Sequence, residues 1–301
     1  MTLSSEDCGK FSKTYETPID LTRLYRHIAS MKTALVISSY VAASRVGATA
    51  SAFCLRRLGI ETIVIPTTAL GRHPGWGTPG GQALGADHLR SMWAAIKAQN
   101  LKIDAVMTGY LADDAHIDIA ADIISDVKQT NSEAIILVDP VMGDNGQLYV
   151  PESRAKAIIL KLLPLADVIT PNAWELSFIT GEPAKDLESI LKTLSDMNLA
   201  CLVTSVPHKE RIGAVFVDGL ARYFVHHEEF SSVPHGGGDS LAATFLAHLL
   251  LGELRRDALA KSVASIFAML SAAVERDLGE LPLIREQNAL EIAKPLPIEI
   301  L

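Results

Sequence analysis

"AIILVDPVMGDNGQLYVPESRAKAIILKLLPLADVITPN", residues 134–172, reads as a strand, a helix and a second strand. The run 134–141 is a buried strand, and 151–166 has helical spacing with Pro151 in a first-turn position that needs no N–H. Residues 167–172 form the next strand. Such a succession implies a βαβ crossover and two parallel strands. Polar residues gather where each strand ends: Asp139 after the first, Asn172 and Glu175 after the second. Open α/β sheets bind ligands at the carboxyl ends of their strands, so fold and site are read from the same stretch.

Working outward, the pattern repeats. Upstream come a strand at 33–41, a helix at 46–59 stopped by Gly59, and a strand at 61–67. A Gly/Pro-crowded loop spans 70–82, then a helix 87–100, a strand 103–111 and a helix 114–129. Downstream lie helices at 173–180 and 186–197, a strand at 200–206, and a hairpin at 213–227 signalled by Asp218-Gly219. From Gly238 to about Arg276 the chain is almost all helix. The expected fold is α/β, a central mostly parallel sheet flanked by helices, with an antiparallel edge hairpin. With no composition break after residue 31, 31–301 is expected to be a single domain. Residues 1–30 mix charges throughout, lack a signal peptide's apolar core, and are expected to be a flexible extension.

Bulk properties narrow the function. Of 301 residues, 49% are apolar and 21% charged, as in a well-packed globular protein. The net charge of −8, without a basic run, argues against a nucleic-acid partner. No apolar run approaches the roughly 18 residues a membrane span needs, so no membrane partner is expected. Cys8, Cys54 and Cys201 match no metal or redox spacing, and the cytoplasm is the expected location.

Two glycine-rich stretches compete for attention. "GWGTPG" (75–80) formally fits a dinucleotide fingerprint, but no strand precedes it and no helix opens in it. A mobile loop covering a site is the better reading. No G-x-x-x-x-G-K-[ST] occurs, which excludes a P-loop NTPase. "GGGD", Gly236 to Asp239, is followed at once by a helix. The first N–H groups of a helix lack internal partners and carry partial positive charge, and glycines let that backbone close around an anion. Asp239 has the wrong sign to bind a phosphate, but it can accept a proton from an attacking hydroxyl. The plain alternative is that Asp239 caps the helix. Asn172 and Glu175 likewise fit a capping pair, while Asp139 followed by Pro140 should turn its carboxylate out toward solvent. Taken together, the strand-end clusters and the glycine anion hole favour phosphoryl transfer. Magnesium bound with nucleotide takes one or two carboxylates plus waters and phosphates, which suits this set.

The order "ISSYV", "RRLG", "TGYLADD", "DPVMGDNGQLYVP", "TPNAWEL", "VTS", "GGGDSLAATFLAHLLLGE" resembles the pyridoxal kinases of the ribokinase-like fold, from about Met31 to Pro295. The resemblance implies a three-layer kinase that moves phosphate from ATP to the 5′-hydroxymethyl of pyridoxal, pyridoxine or pyridoxamine. It implies Asp239 as general base, with Gly236, Gly237 and Gly238 as the anion hole. Asp139 and Glu175 would act around Mg²⁺ and the nucleotide phosphates, with Tyr149, Asn172, Thr204 and Ser205 lining the nucleotide site. Ser39, Val41, His73, Pro74 and Tyr110 would line the heteroaromatic alcohol. A homodimer is also implied, and a monovalent cation such as K⁺ is a further cofactor candidate. The departures fall on the substrate side. The family's "QSHV" reads "SSYV", its "GN" reads Gly47-Ala48, and the loop written "SNHTGYGHW" reads "GRHPGWGTP". The alternatives are a hydroxymethylpyrimidine or other small-alcohol kinase of the same fold, and a non-catalytic binder of B6 vitamers.

Overall fold

The computed structural model describes residues 31–301, so the expected extension at 1–30 lies outside the described residues. The chain begins with β1 (Thr33–Val41), α1 (Ala48–Arg57) and β2 (Glu61–Leu70). β3 (Gly81–Ala83) returns antiparallel to β2, followed by α2 (Ala86–Lys97), β4 (Ala105–Thr108), α3 (Asp114–Thr130) and β5 (Ile135–Val138). A ribbon of β6 (Gly143–Asp144) and β7 (Gln147–Leu148) leads to α4 (Glu152–Lys161), β8 (Val168–Ile169), α5 (Ala173–Thr180) and α6 (Leu187–Ser195). β9 (Ala200–His208), β10 (Arg211–Asp218) and β11 (Ala221–Glu228) form an antiparallel meander. α7 (Gly237–Leu250), α8 (Arg255–Glu275), α9 (Ala289–Ile292) and β12 (Glu299–Ile300) complete the chain.

Ten strands make one sheet in the order β12-β11-β10-β9-β8-β5-β4-β1-β2-β3. The six from β9 to β2 in that order are mutually parallel. Chain order reverses between β1 and β4, because β1 continues to β2 on one side while β4 lies on the other. That reversal opens a crevice above the carboxyl ends of both strands. β1 shows why the sheet is central: Leu35 and Ile37 face one core, Ala34 and Val36 the other, and all four are fully buried. Leu89, Ile117, Ile123, Leu176 and Ile190, carried by α2, α3, α5 and α6, cover the first face. Leu55, Phe245, Leu246 and Leu259, from α1, α7 and α8, cover the second. Burying each such side chain stabilises the fold by about 1.5–3 kcal/mol.

Several local expectations are corrected. The 70–82 stretch is not all loop, since Leu70 ends β2, Pro74–Trp76 make a 3₁₀ turn and Gly81 begins β3. A Cβ on Gly81 would lie 1.9 Å from the Ala69 carbonyl, so only glycine allows this pairing, and glycine hides the strand signal. The helix at 151–166 stops at Lys161 and gives way to a 3₁₀ turn, Leu163–Leu165, because Pro164 has no N–H to continue it. Pro151 is the N-cap with extended backbone, not a first-turn residue. In the hairpin Asp218 pairs with Ala221, so Gly219-Leu220 is the two-residue loop, one position later than expected. α8 is long and apolar enough, by length and composition, to cross a membrane. Charges at its ends and at Lys261 interrupt the apolar run in the sequence, and its apolar positions pack in the second core beside α7 and β11.

Candidate active site

α7 begins beside the crevice. Its N-cap, Gly236, has φ +94°, and a Cβ there would lie 2.2 Å from the Arg45 carbonyl, so this position requires glycine. Gly237 and Gly238 have nothing within 4 Å of their Cβ positions and face open space. No side chain caps the helix. The first-turn N–H groups therefore have no side-chain partner.

Asp239 sits one turn into this opening. Burial raises its carboxyl above the usual range, and the Gly47 N–H draws it partway back. Its carbonyl accepts a hydrogen bond from Ser51 Oγ at 3.4 Å. Gly47, at φ +57°, starts α1, and its Cβ would fall 2.2 Å from Ser39 Oγ. Ser39, Gly47 and Asp239 thus form a contiguous set linking β1, α1 and α7. Beneath them the Cys54 thiol is pushed up to about 12 by burial, against the Ser240 and Thr244 hydroxyls that draw it down. It stays protonated and takes no part as a nucleophile.

Asp139 departs from expectation. Its carboxylate does not reach out to solvent but is only 8% exposed. Extended backbone before a proline sets the chain's direction and leaves the side chain free to fold inward. Burial first, then the charges of Glu175 and Asp239, hold it well above the usual range. The Thr170 hydroxyl faces it and lowers it, without a well-aligned hydrogen bond. Among the described residues no basic side chain offsets Asp139, Glu175 or Asp239. Nor does any group of three His, Cys, Asp or Glu come close enough there to hold a metal alone. That combination fits a magnesium ion bound largely through nucleotide phosphates, with Asp139 offering the protein's carboxylate.

Glu175 has a different place from the one expected. Its Oε1 accepts from the Met142 N–H at 2.6 Å and the Gly143 N–H at 3.3 Å, and Oε2 accepts from Asn172 N–H at 3.0 Å. Asn172 Oδ1 accepts from Glu175 N–H at 2.8 Å, completing a capping box, while Asn172 Nδ2 donates to the Gly143 carbonyl at 2.9 Å. With both oxygens accepting from backbone, Glu175 pins the loop at Met142 and Gly143. Burial pushes its carboxyl up to about 7 despite those three N–H groups. The pinned loop holds Val141 at φ +38°, a strained backbone for a β-branched residue.

The other candidates divide. Thr204 bridges to Asn172 and donates its N–H to the Pro171 carbonyl at 3.0 Å. Ser205, at φ +55°, lies where β9 bulges against β10, and bulges re-aim side chains beside sites. Tyr149, 59% exposed, follows the β6–β7 ribbon. On the substrate side Ser39 is buried against Gly47, and Tyr110 is half-buried with its carbonyl accepting from Thr67 Oγ1 at 2.7 Å. Val41 is buried at 2% exposure beneath the crevice. Pro74 opens the 3₁₀ turn, and His73 donates its N–H to Ser44 Oγ at 3.1 Å.

Comparison with known proteins agrees with this geometry. The sequence model of the phosphomethylpyrimidine kinase family matches residues 77–283. The chain is 31% identical to pyridoxal kinase PdxY of Leifsonia xyli over 265 residues, 84% of this chain and 94% of that protein. It is also 31% identical to pyridoxal kinase PdxY of Rubrobacter xylanophilus, over 87% of this chain and 94% of that one. The chain belongs to the pyridoxal kinase family. Its fold matches pyridoxal kinase from Entamoeba histolytica with a TM-score of 0.84 at 24% identity, covering 90% of this chain and 100% of that one. Pyridoxal kinase of Leishmania donovani, solved with ADP and pyridoxamine, gives a TM-score of 0.83 at 23% identity, covering 90% and 99%.

Three features of this family member escaped the sequence reading. Asn145-Gly146, with φ +51° and +82°, turns the β6–β7 ribbon, and Asn-Gly is a strong hairpin signal that could have found it. Gly47 turns its N–H toward the Asp239 carboxylate, a placement set by tertiary approach and not by local pattern. His235, directly before the glycines, packs its ring against His73 with centroids 4.5 Å apart and the planes tilted by 37°.

Proposed function

We propose that this protein transfers the γ-phosphoryl group of ATP to the 5′-hydroxymethyl group of a B6 vitamer, with Asp239 as general base. One observation carries the reading. Asp239 stands in the first turn of α7, elevated by burial and bonded by Gly47, beside backbone at Gly237 and Gly238 that faces open space. The substrate hydroxyl gives its proton to the Asp239 carboxylate while its oxygen forms a bond to the γ-phosphorus. The bond from that phosphorus to the β,γ-bridging oxygen breaks, and ADP leaves. Charge on the equatorial oxygens is met by the Gly237 and Gly238 N–H groups and the positive end of α7. Magnesium, held with nucleotide beside Asp139, would supply charge neutralisation on the phosphates. Asn172, Thr204, Ser205 and Tyr149 suit the nucleotide side, while Ser39, His73 and Tyr110 suit the alcohol side. Pyridoxal kinase of Leishmania donovani in complex with ADP and pyridoxamine supports this pairing of ligands on the same fold. Buried, unpaired Cys54 and Cys201 suit a cytoplasmic enzyme, and a homodimer is proposed from the family resemblance.

The test is ADP release with Mg-ATP and, separately, pyridoxal, pyridoxine, pyridoxamine, hydroxymethylpyrimidine and ribose. Turnover on a vitamer should fall about 10²-fold or more in Asp239→Asn, the size of a general-base contribution. Turnover on hydroxymethylpyrimidine alone would move the substrate to the sister reaction. An Asp239→Asn enzyme with wild-type turnover would remove the base.

A further inference from the structure

The 71–80 loop is anchored on one side and latched on the other. At its base, Gly71 and Arg72 N–H groups donate to the Pro79 carbonyl, both at 3.1 Å, and Arg72 Nε donates to the Thr78 carbonyl at 2.9 Å. The Ala43 N–H donates to the Gly71 carbonyl at 3.0 Å, and His73 donates to Ser44, so the loop leans on the β1–α1 connection. At its far side the His73 ring lies on the His235 ring at 4.5 Å and 37°. Trp76 packs over Gly279, where a Cβ would fall 2.6 Å from the indole. His235 is itself held by two backbone bonds, its N–H to the Gly279 carbonyl at 2.9 Å and its carbonyl from the Leu281 N–H at 3.2 Å. The next residue is Gly236, locked against Arg45 and opening the anion hole. One imidazole therefore touches the loop while its own backbone continues into the phosphate-binding turn.

We propose that His235 is a positioning residue for phosphoryl transfer, holding the 71–80 loop closed over the Gly236–Gly238 backbone through its tilted ring contact with His73. The inference rests on the kinase reading of Asp239 and the glycines. A closed loop keeps water from competing with the alcohol for the γ-phosphoryl and orients the ring that carries the alcohol. Burial, and then His235, hold His73 below the usual imidazole range, and Glu280 opposes them. The charged groups around the pair are Glu280, which accepts from the Arg45 N–H at 3.0 Å, and Arg72 inside the loop. Falling pH protonates His73, and the desolvation that favours its neutral form then weakens the contact.

Trypsin cutting after Arg72, followed by mass spectrometry of the fragment beginning at His73, reads loop opening without reference to turnover. His235→Ala should speed that cut roughly 3- to 10-fold, the size of one lost ring contact, and raise KM for the alcohol by a like factor. Its kcat should stay within about two-fold of wild type, the pattern of a lost binding contribution. His235→Phe, which keeps a ring, should restore both values near pH 8. Unchanged cutting in His235→Ala, faster cutting with unchanged KM, or a Phe variant that behaves as Ala would each overturn the proposal. Failure of the kinase reading would show separately, as turnover indifferent to Asp239→Asn.

Discussion

Gly236 and Gly237 are neighbours of the same type with opposite constraints, and that difference can be measured. At Gly236 an added methyl meets the Arg45 carbonyl at 2.2 Å on a backbone at φ +94°. Gly236→Ala should cost about 1–3 kcal/mol of stability from backbone strain alone, read as a lower urea midpoint. At Gly237 the methyl meets nothing within 4 Å, and alanine is the better helix former. Gly237→Ala should fold at least as stably as wild type yet lose roughly 10-fold or more in kcat/KM, because the methyl occupies the space offered to the phosphoryl group. A Gly237→Ala enzyme with full activity would move the anion away from this turn. Residues of this kind were legible in the sequence because glycines before an apolar helix form a local pattern with a physical purpose. Gly47 and His235 were not legible. Their roles exist only because β1, α1 and the 277–281 segment are brought beside α7 by the fold.

The elements around Glu175 show what a strand-end polar cluster leaves undecided. Asn-x-x-Glu reads equally as a helix cap and as ligands, and here it serves as a cap that also pins the β6–β7 ribbon. Its electrostatics give a pH prediction with a definite sign. Glu175 stands at about 7 in the folded protein, above the ordinary glutamate value of 4.5, so the folded state binds that proton more tightly than the unfolded one. Its contribution to stability is therefore fully present below about pH 4.5 and fades as pH rises through 7. Glu175→Gln has no such loss. The stability of the variant relative to wild type should rise by on the order of 3 kcal/mol between pH 5 and 8, followed by urea unfolding of both proteins at each pH. A flat difference would mean that the carboxylate is already satisfied as an anion. Elements with strong periodicity, β1 and α3 among them, were legible with boundaries near those observed. β3 and the strands of the β6–β7 ribbon showed no period of two, because two- and three-residue pairings carry too few side chains, and only the Asn145-Gly146 turn marked the ribbon.

Across the whole molecule, the sheet gathers three unneutralised carboxylates at one edge of a tightly packed interior. Asp139 follows β5, Glu175 lies in α5 and Asp239 in α7, and their charges combine with burial to raise Asp139 well above the usual range. The ligand-free protein is thus held below the stability its two cores would give, and a bound cation with nucleotide would restore it. The expected signature is an inversion. Asp139→Asn without ligand should melt higher than wild type at pH 8 by a few degrees, about 2–4 °C for each kcal/mol in a chain of this size. Wild type should gain on the order of 3 kcal/mol from Mg-ATP at 100 times Kd, by mass action. At the same ligand concentration Asp139→Asn should gain much less, so the order of the two melting temperatures reverses. Equal gains in both proteins would place the cation elsewhere. A lower ligand-free melting temperature in the variant would show that the Asp139 carboxylate is held by partners stronger than the Thr170 hydroxyl that faces it.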